Sequence, residues 1–136
     1  MPITYDELTK ALPCDKLHDL FKSVGWVDES KPGHTDHFNA PHINSTLVIS
    51  AWDGDHLVGS VRVLSDCIIR SIIYDVAVLP SYQGQGIGSQ LVRRCIAHYP
   101  SSEWLVYTKE TAGFYEKLGF KVSDGGDVYL TIPHNF

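Results

Sequence analysis

The chain has 136 residues, the size of one domain that can bury a core without disulfide staples. Apolar side chains make up 43% of it and 16 acidic residues outnumber 11 basic ones, for a net charge of −5, which excludes a disordered chain and argues against nonspecific nucleic-acid binding. Cys14, Cys67 and Cys95 form no disulfide framework or metal pair, no apolar run is long enough for a bilayer, and Asp6 and Glu7 stand where a leader would be basic, so a soluble, cytoplasmic protein is expected.

Ile3-Thr4-Tyr5 predicts a short first strand, followed by a helical turn or connection over Leu8 to Leu12. Pro13 suits the first position of a helix, Leu17, Leu20, Phe21 and Val24 recur at helical spacing, and Gly25 ends the run. Trp26-Val27-Asp28 reads as a loop, and residues 33–45, rich in His and Asn, as a short irregular helix. His34, His37 and His42 cluster around Asp36, but no firm helix aligns them, so no metal is expected.

Leu47 to Trp52 and Leu57 to Val63 read as a hairpin over Asp53-Gly54-Asp55. Ile68 to Leu79 is apolar on both faces, as a central strand covered by helices would be. The turn Gln83-Gly84-Gln85-Gly86-Ile87-Gly88-Ser89 then opens a helix whose face is Ile87, Leu91, Val92, Cys95 and Ile96, closed by Pro100. Trp104 to Tyr107 is the next strand, Thr111 to Leu118 a helix stopped by Gly119, and Phe120 to Val122 with Val128 to Thr131 a last hairpin over Asp124-Gly125-Gly126-Asp127. One domain, residues 1–136, follows.

Helix starts carry unpaired N–H groups and the positive end of the helix dipole, and glycines let that backbone approach a ligand, so the turn is an anion seat. It lacks the Gly-Lys pair of a nucleotide-hydrolase phosphate loop, and Ser89 stands at the third glycine of the dinucleotide fingerprint. It does fit Q/R-x-x-G-x-G/A in full, as Gln83-Gly84-Gln85-Gly86-Ile87-Gly88. With Asp75-Val76-Ala77-Val78 and Pro80-Ser81-Tyr82 before the turn, and Phe114-Tyr115-Glu116-Lys117-Leu118-Gly119-Phe120 after it, the chain resembles the GNAT family of acyl-coenzyme A-dependent N-acetyltransferases over about residues 47 to 132.

The resemblance implies an α+β fold: a central, mostly antiparallel twisted sheet of about six to seven strands flanked by about four helices. It implies acetyl-coenzyme A as cosubstrate, with its pyrophosphate on backbone N–H groups of Gln83, Gly84, Gln85, Gly86, Ile87, Gly88 and Ser89, and its pantetheine arm on main-chain groups of Val76, Ala77 and Val78. The strand at 76–78 would splay from the strand at 104–107 to make the slot, and the N–H of Val76 would hold the acetyl carbonyl. Tyr115 matches the tyrosine that meets the departing thiolate as general acid. Asp75, the one charge in the apolar run Ile72 to Leu79, would take the amine proton or shape the acceptor pocket. Trp26, Tyr74, Trp104 and Tyr107 are candidate acceptor-pocket walls, and Arg93 and Arg94 either reach the nucleotide phosphates or form a solvated face.

Thr108-Lys109 stand where many members carry Asn, which leaves the cofactor contacts of Thr108 open. A histidine of the 33–45 segment could line the acceptor site, because that region varies with substrate in the family. The expected reaction moves acetyl to a primary amine of a small molecule by direct attack, with no metal, nucleic acid or membrane involved and a homodimer compatible with the family. The rival readings are a protein lysine or N-terminal acetyltransferase and a non-catalytic acyl-coenzyme A sensor.

Overall fold

The computed structural model describes residues 2–27, 35–108, 111–122 and 129–132. Strands β1 (Thr4–Asp6), β2 (Leu47–Asp53), β3 (His56–Ser65), β4 (Arg70–Val78), β5 (Glu103–Tyr107), β6 (Lys121–Val122) and β7 (Tyr129–Ile132) form one sheet in the order β1-β2-β3-β4-β5-β7-β6. Neighbours are antiparallel except β4 and β5, which are parallel. A parallel pair needs a crossover, and the helix between these strands, α3 (Ile87–His98), supplies it. The other helices are α1 (Cys14–Ser23), the short α2 (Ala40–Ile43) and α4 (Ala112–Glu116), with single turns of 3-10 helix at Thr35–His37 and Pro80–Tyr82. The expected mixed fold and strand count are therefore present.

Alternating side chains of the sheet feed two cores. Ile49, Val61, Val63 and Ile73 pack with Leu91, Val92, Cys95 and Trp104 beneath α3, while Val48, Leu57 and Ala77 pack with Leu17 and Leu20 of α1. Val76 and Val78 rest against the first core, on the same face as Ile73. Val76 is three positions after Ile73, so strict alternation would place them on opposite faces. An extra residue restores the register: Val63 pairs with Ile73 and Arg62 with Asp75, leaving Tyr74 as a β-bulge. Gly59 lets α3 press onto β3, since a Cβ there would lie 3.2 Å from Leu91 Cδ1 and 3.3 Å from the Ala77 carbonyl oxygen.

Some boundaries differ from the sequence reading. Strand β4 begins at Arg70 rather than Ile68, because Asp66 Oδ1 accepts the N–H groups of Ile68, Ile69 and Arg70 and turns the chain. The two isoleucines are left half-exposed. Pro13 caps α1 from one position outside it, and Gly25 follows the helix with φ +83°, as a terminating glycine should. The expected helix over 111–118 is shortened to α4, with a turn through Leu118 to Gly119 at φ +99°. The turn expected at 124–127 lies outside the described residues. No helix among the described residues is long and apolar enough to cross a membrane.

Candidate active site

The rungs between β4 and β5 run from Arg70–Glu103 to Ile73–Val106 and end there. The bulge at Tyr74 follows at once, and beyond it β4 continues to Val78 with no further pairing to β5. A cavity of about 640 Å³ opens in this gap. Val76 and Val78 line one side, Val106, Tyr107 and Thr108 the other, and Phe114 and Tyr115 of α4 complete the wall.

The glycine turn joins this slot through Gln83, Gly84, Gly86, Ile87, Gly88 and Ser89. Tyr82 braces it by donating its hydroxyl to Asp53 Oδ2 at 2.6 Å, and the Gln83 amide nitrogen donates to the Val78 carbonyl at 3.0 Å. Gly84 and Gly86 hold φ values of +81° and +84°, a backbone form that costs a side-chain-bearing residue strain. Helix α3 starts directly after Gly86, so its first-turn N–H groups have no helical acceptors, and its first residues Ile87, Gly88 and Ser89 line the slot. At Gly88 a Cβ would stand 3.3 Å from the Phe114 ring, so the absent side chain lets α4 close over the turn.

Tyr115 is buried, 6% exposed, with its ring edge-on to Phe114 and Phe120. Burial first, then the nearby charge of Asp75 and the thiol of Cys95, push its hydroxyl up to about 12. It therefore carries its proton at any ordinary pH and can donate it. The Thr108 hydroxyl accepts the Thr111 N–H at 3.1 Å and shares a 2.5 Å hydrogen bond with the Thr111 hydroxyl. That pair turns the chain from β5 toward α4, so the residue in the asparagine position serves local geometry while lining the slot; Lys109 lies outside the described residues.

The structure thus gathers Val76, Val78, Gln83, Gly84, Gly86, Ile87, Gly88, Ser89, Thr108 and Tyr115 around one slot, together with Trp26, Tyr74 and Tyr107. Two expected cofactor residues stand apart. Ala77 turns its side chain into the α1 core, leaving only its backbone for a ligand, and Gln85 is exposed between the two positive-φ glycines, outside the slot lining. Trp104 is not an acceptor wall. It is fully buried where β5 is still paired to both neighbours, and its indole N–H donates to the Tyr99 carbonyl at 3.0 Å. Arg94 turns away from the slot to Glu7, at 2.7 Å, and over the Tyr5 ring, while Arg93 is exposed and outside the lining.

Asp75 does not line the slot. The bulge sends its side chain to the α1 face, where Oδ2 accepts from Arg62 Nε at 2.7 Å, and the guanidinium lies over the Tyr74 ring at 5.1 Å. Asp75 and Arg62 line a second cavity, about 400 Å³, with Phe21, His37, Phe38, Pro41 and His42. His42 is 2% exposed, and neither ring nitrogen has a hydrogen-bond partner among the described residues. Burial, then the Arg62 charge, depress it to about 4 against the opposing pull of Asp75, so the ring is neutral. His34 lies outside the described residues, and among those described no three His, Cys, Asp or Glu side chains are grouped to hold a metal.

Sequence reasoning missed Arg62, although it is the single charge in its apolar strand and pairs across the sheet with Asp75, the single acidic residue of the next. It also missed Val106, Tyr82 and Thr111 as slot residues, which depend on where the strand pairing ends.

The family model for the acetyltransferase (GNAT) domain matches residues 44–122, more than half of the chain and all of the slot strands, glycine turn and Tyr115. The chain belongs to the GNAT acetyltransferase family. Its relatives include the uncharacterized N-acetyltransferase ycf52 of Gracilaria tenuistipitata var. liui, 29% identical over 117 residues; the match takes in 81% of this chain and 64% of that protein, so the chain spans just under two thirds of that relative's length. A GNAT-family structure from Streptococcus pneumoniae TIGR4 superposes with a TM-score of 0.75 at 29% identity, covering 89% of each chain. An aminoglycoside 6'-N-acetyltransferase solved with coenzyme A shares the fold at a TM-score of 0.77 and 19% identity, covering the whole of both chains. Helix α1 and residues 35–43, which supply most of the second cavity, precede the matched GNAT segment.

Proposed function

We propose that this chain transfers the acetyl group of acetyl-coenzyme A to the primary amine of a small molecule, by direct attack within a ternary complex. The observation that carries this reading is the slot that opens where β4–β5 pairing ends, flanked by the glycine turn and by a protonated Tyr115. A fold neighbour solved with coenzyme A supports the choice of cosubstrate.

In this reading the first-turn N–H groups of α3 and the turn before it take the pyrophosphate, where the helix dipole favours negative charge. Backbone groups of Val76 to Val78, which β5 leaves unpaired, hydrogen-bond the pantetheine arm as an added strand would. The Val76 N–H polarises the thioester carbonyl. The amine lone pair attacks the carbonyl carbon, the C–N bond forms and the C–S bond breaks, and the thiolate takes the Tyr115 proton. The proton lost from nitrogen leaves through water toward the Asp75 carboxylate, which faces the second cavity beside the bulge and not the slot. No cysteine lines the slot among the described residues, so no acyl-enzyme step is invoked.

The test is thiol release from acetyl-coenzyme A across a panel of primary amines, with the N-acetyl product identified by mass. Release with a small amine, lost in Tyr115→Phe, supports the reading. A protein that binds the cofactor yet acetylates only peptides, or nothing, overturns it.

A further inference from the structure

Residues lining the second cavity touch residues lining the slot at two places. Tyr74 lines the slot and its neighbour Asp75 the cavity, bridged by the Arg62 guanidinium. Trp26 lines the slot and Phe21 the cavity, with their rings edge to face at 5.4 Å. An acceptor resting in the cavity would therefore lie beside the bulge, one residue along β4 from the slot wall.

The walls carry a specific chemistry. Asp75 alone would select a bare cation, but Arg62 balances it through Nε only. The two terminal nitrogens of that guanidinium keep the fork that matches a carboxylate. Neutral His42 adds one donor and one acceptor and no charge, and both its nitrogens lack partners among the described residues. Phe21, Phe38 and Pro41 supply an apolar wall. About 400 Å³ suits a molecule of amino-acid size.

We propose that this cavity seats an α-amino acid with an apolar side chain as the acetyl acceptor. Its carboxylate lies on the terminal nitrogens of Arg62, its amino group beside Asp75, and its side chain against Phe21 and Phe38. The inference rests on the acetyltransferase reading and adds the class of acceptor. A doubly charged phosphate would meet the Asp75 carboxylate beside its arginine, and an amine without a carboxylate would leave the guanidinium fork unused.

The test titrates the coenzyme A-saturated full chain by calorimetry with L-phenylalanine and with 2-phenylethylamine, the same amine without its carboxylate. Binding about tenfold tighter for the amino acid, the worth of one charge-assisted contact, is expected. Arg62→Lys keeps the charge and removes the fork, and should erase that preference. Equal or tighter binding of 2-phenylethylamine, or no heat from either while coenzyme A titrates normally, overturns the acceptor assignment alone. Failure of coenzyme A itself to bind overturns the acetyltransferase reading and this assignment with it.

Discussion

Ile73 and Val106 form the last rung between β4 and β5, and the slot begins at the next residue. The cause is the bulge at Tyr74. It realigns β4 so that Val76 and Val78 keep the face of Ile73, while Asp75 goes to the other. One extra residue in a strand thus unzips a parallel pair, frees its backbone for a ligand and sends the one acidic side chain of the strand to the opposite cavity.

Tyr115→Phe should lower turnover by at least about a hundredfold, the usual worth of a general acid, with coenzyme A affinity kept within about twofold. Steady-state rates beside a calorimetric titration separate the two. A parallel loss of affinity would make Tyr115 a packing residue.

Because Tyr115 is raised from an ordinary 10 to about 12, its stabilising effect is complete below pH 10 and fades as pH climbs from 10 toward 12. Denaturant midpoints measured across that window should fall less steeply for Tyr115→Phe than for the wild type.

His42 has the opposite sign. Its ordinary value of 6.5 is depressed to about 4, so its contribution is full above pH 6.5 and disappears as pH drops toward 4. The gap corresponds to at most about 3 kcal/mol. Urea unfolding between pH 7 and 4 should show the loss, and His42→Asn should flatten it.

Much of this architecture is legible in the sequence. The glycine spacing from Gln83 to Ser89, the helical spacing from Ile87 to Cys95 and the Phe114–Phe120 motif announce the turn, its helix and Tyr115. What cannot be read there depends on where chains meet. Trp104 resembles a pocket aromatic until β7 and Tyr99 are seen to enclose it. Arg62 and Asp75 are 13 residues apart and become partners only through the register of β3 with β4. Asp66 hides the start of β4 because its capping of three N–H groups leaves no apolar signature.

Arg94 illustrates the same limit and gives a discriminating experiment. It sits one turn beyond the glycine turn but is held by Glu7, whose carboxyl is lowered first by its hydrogen bond to His98 and then by Arg94. Arg94→Gln should leave coenzyme A affinity unchanged within about twofold and cost under about 1 kcal/mol of stability, since the pair is partly exposed. A tenfold loss of cofactor affinity would return Arg94 to the phosphates.

Gly86 is the point where the turn hands over to α3. Its φ of +84° strains any side chain although a Cβ would meet nothing within 4 Å. Gly86→Ala should cost about 1–2 kcal/mol through backbone strain alone, read as a lower melting temperature that saturating coenzyme A partly restores. An unchanged melting temperature would mean that the turn relaxes without strain.

The most direct test of the account is a calorimetric titration of the full chain with acetyl-coenzyme A. Saturable binding at one site per chain, weakened by Gly86→Ala and untouched by Arg94→Gln, is the result predicted from the slot and its glycine turn. No detectable binding to the folded protein would contradict the account at its base.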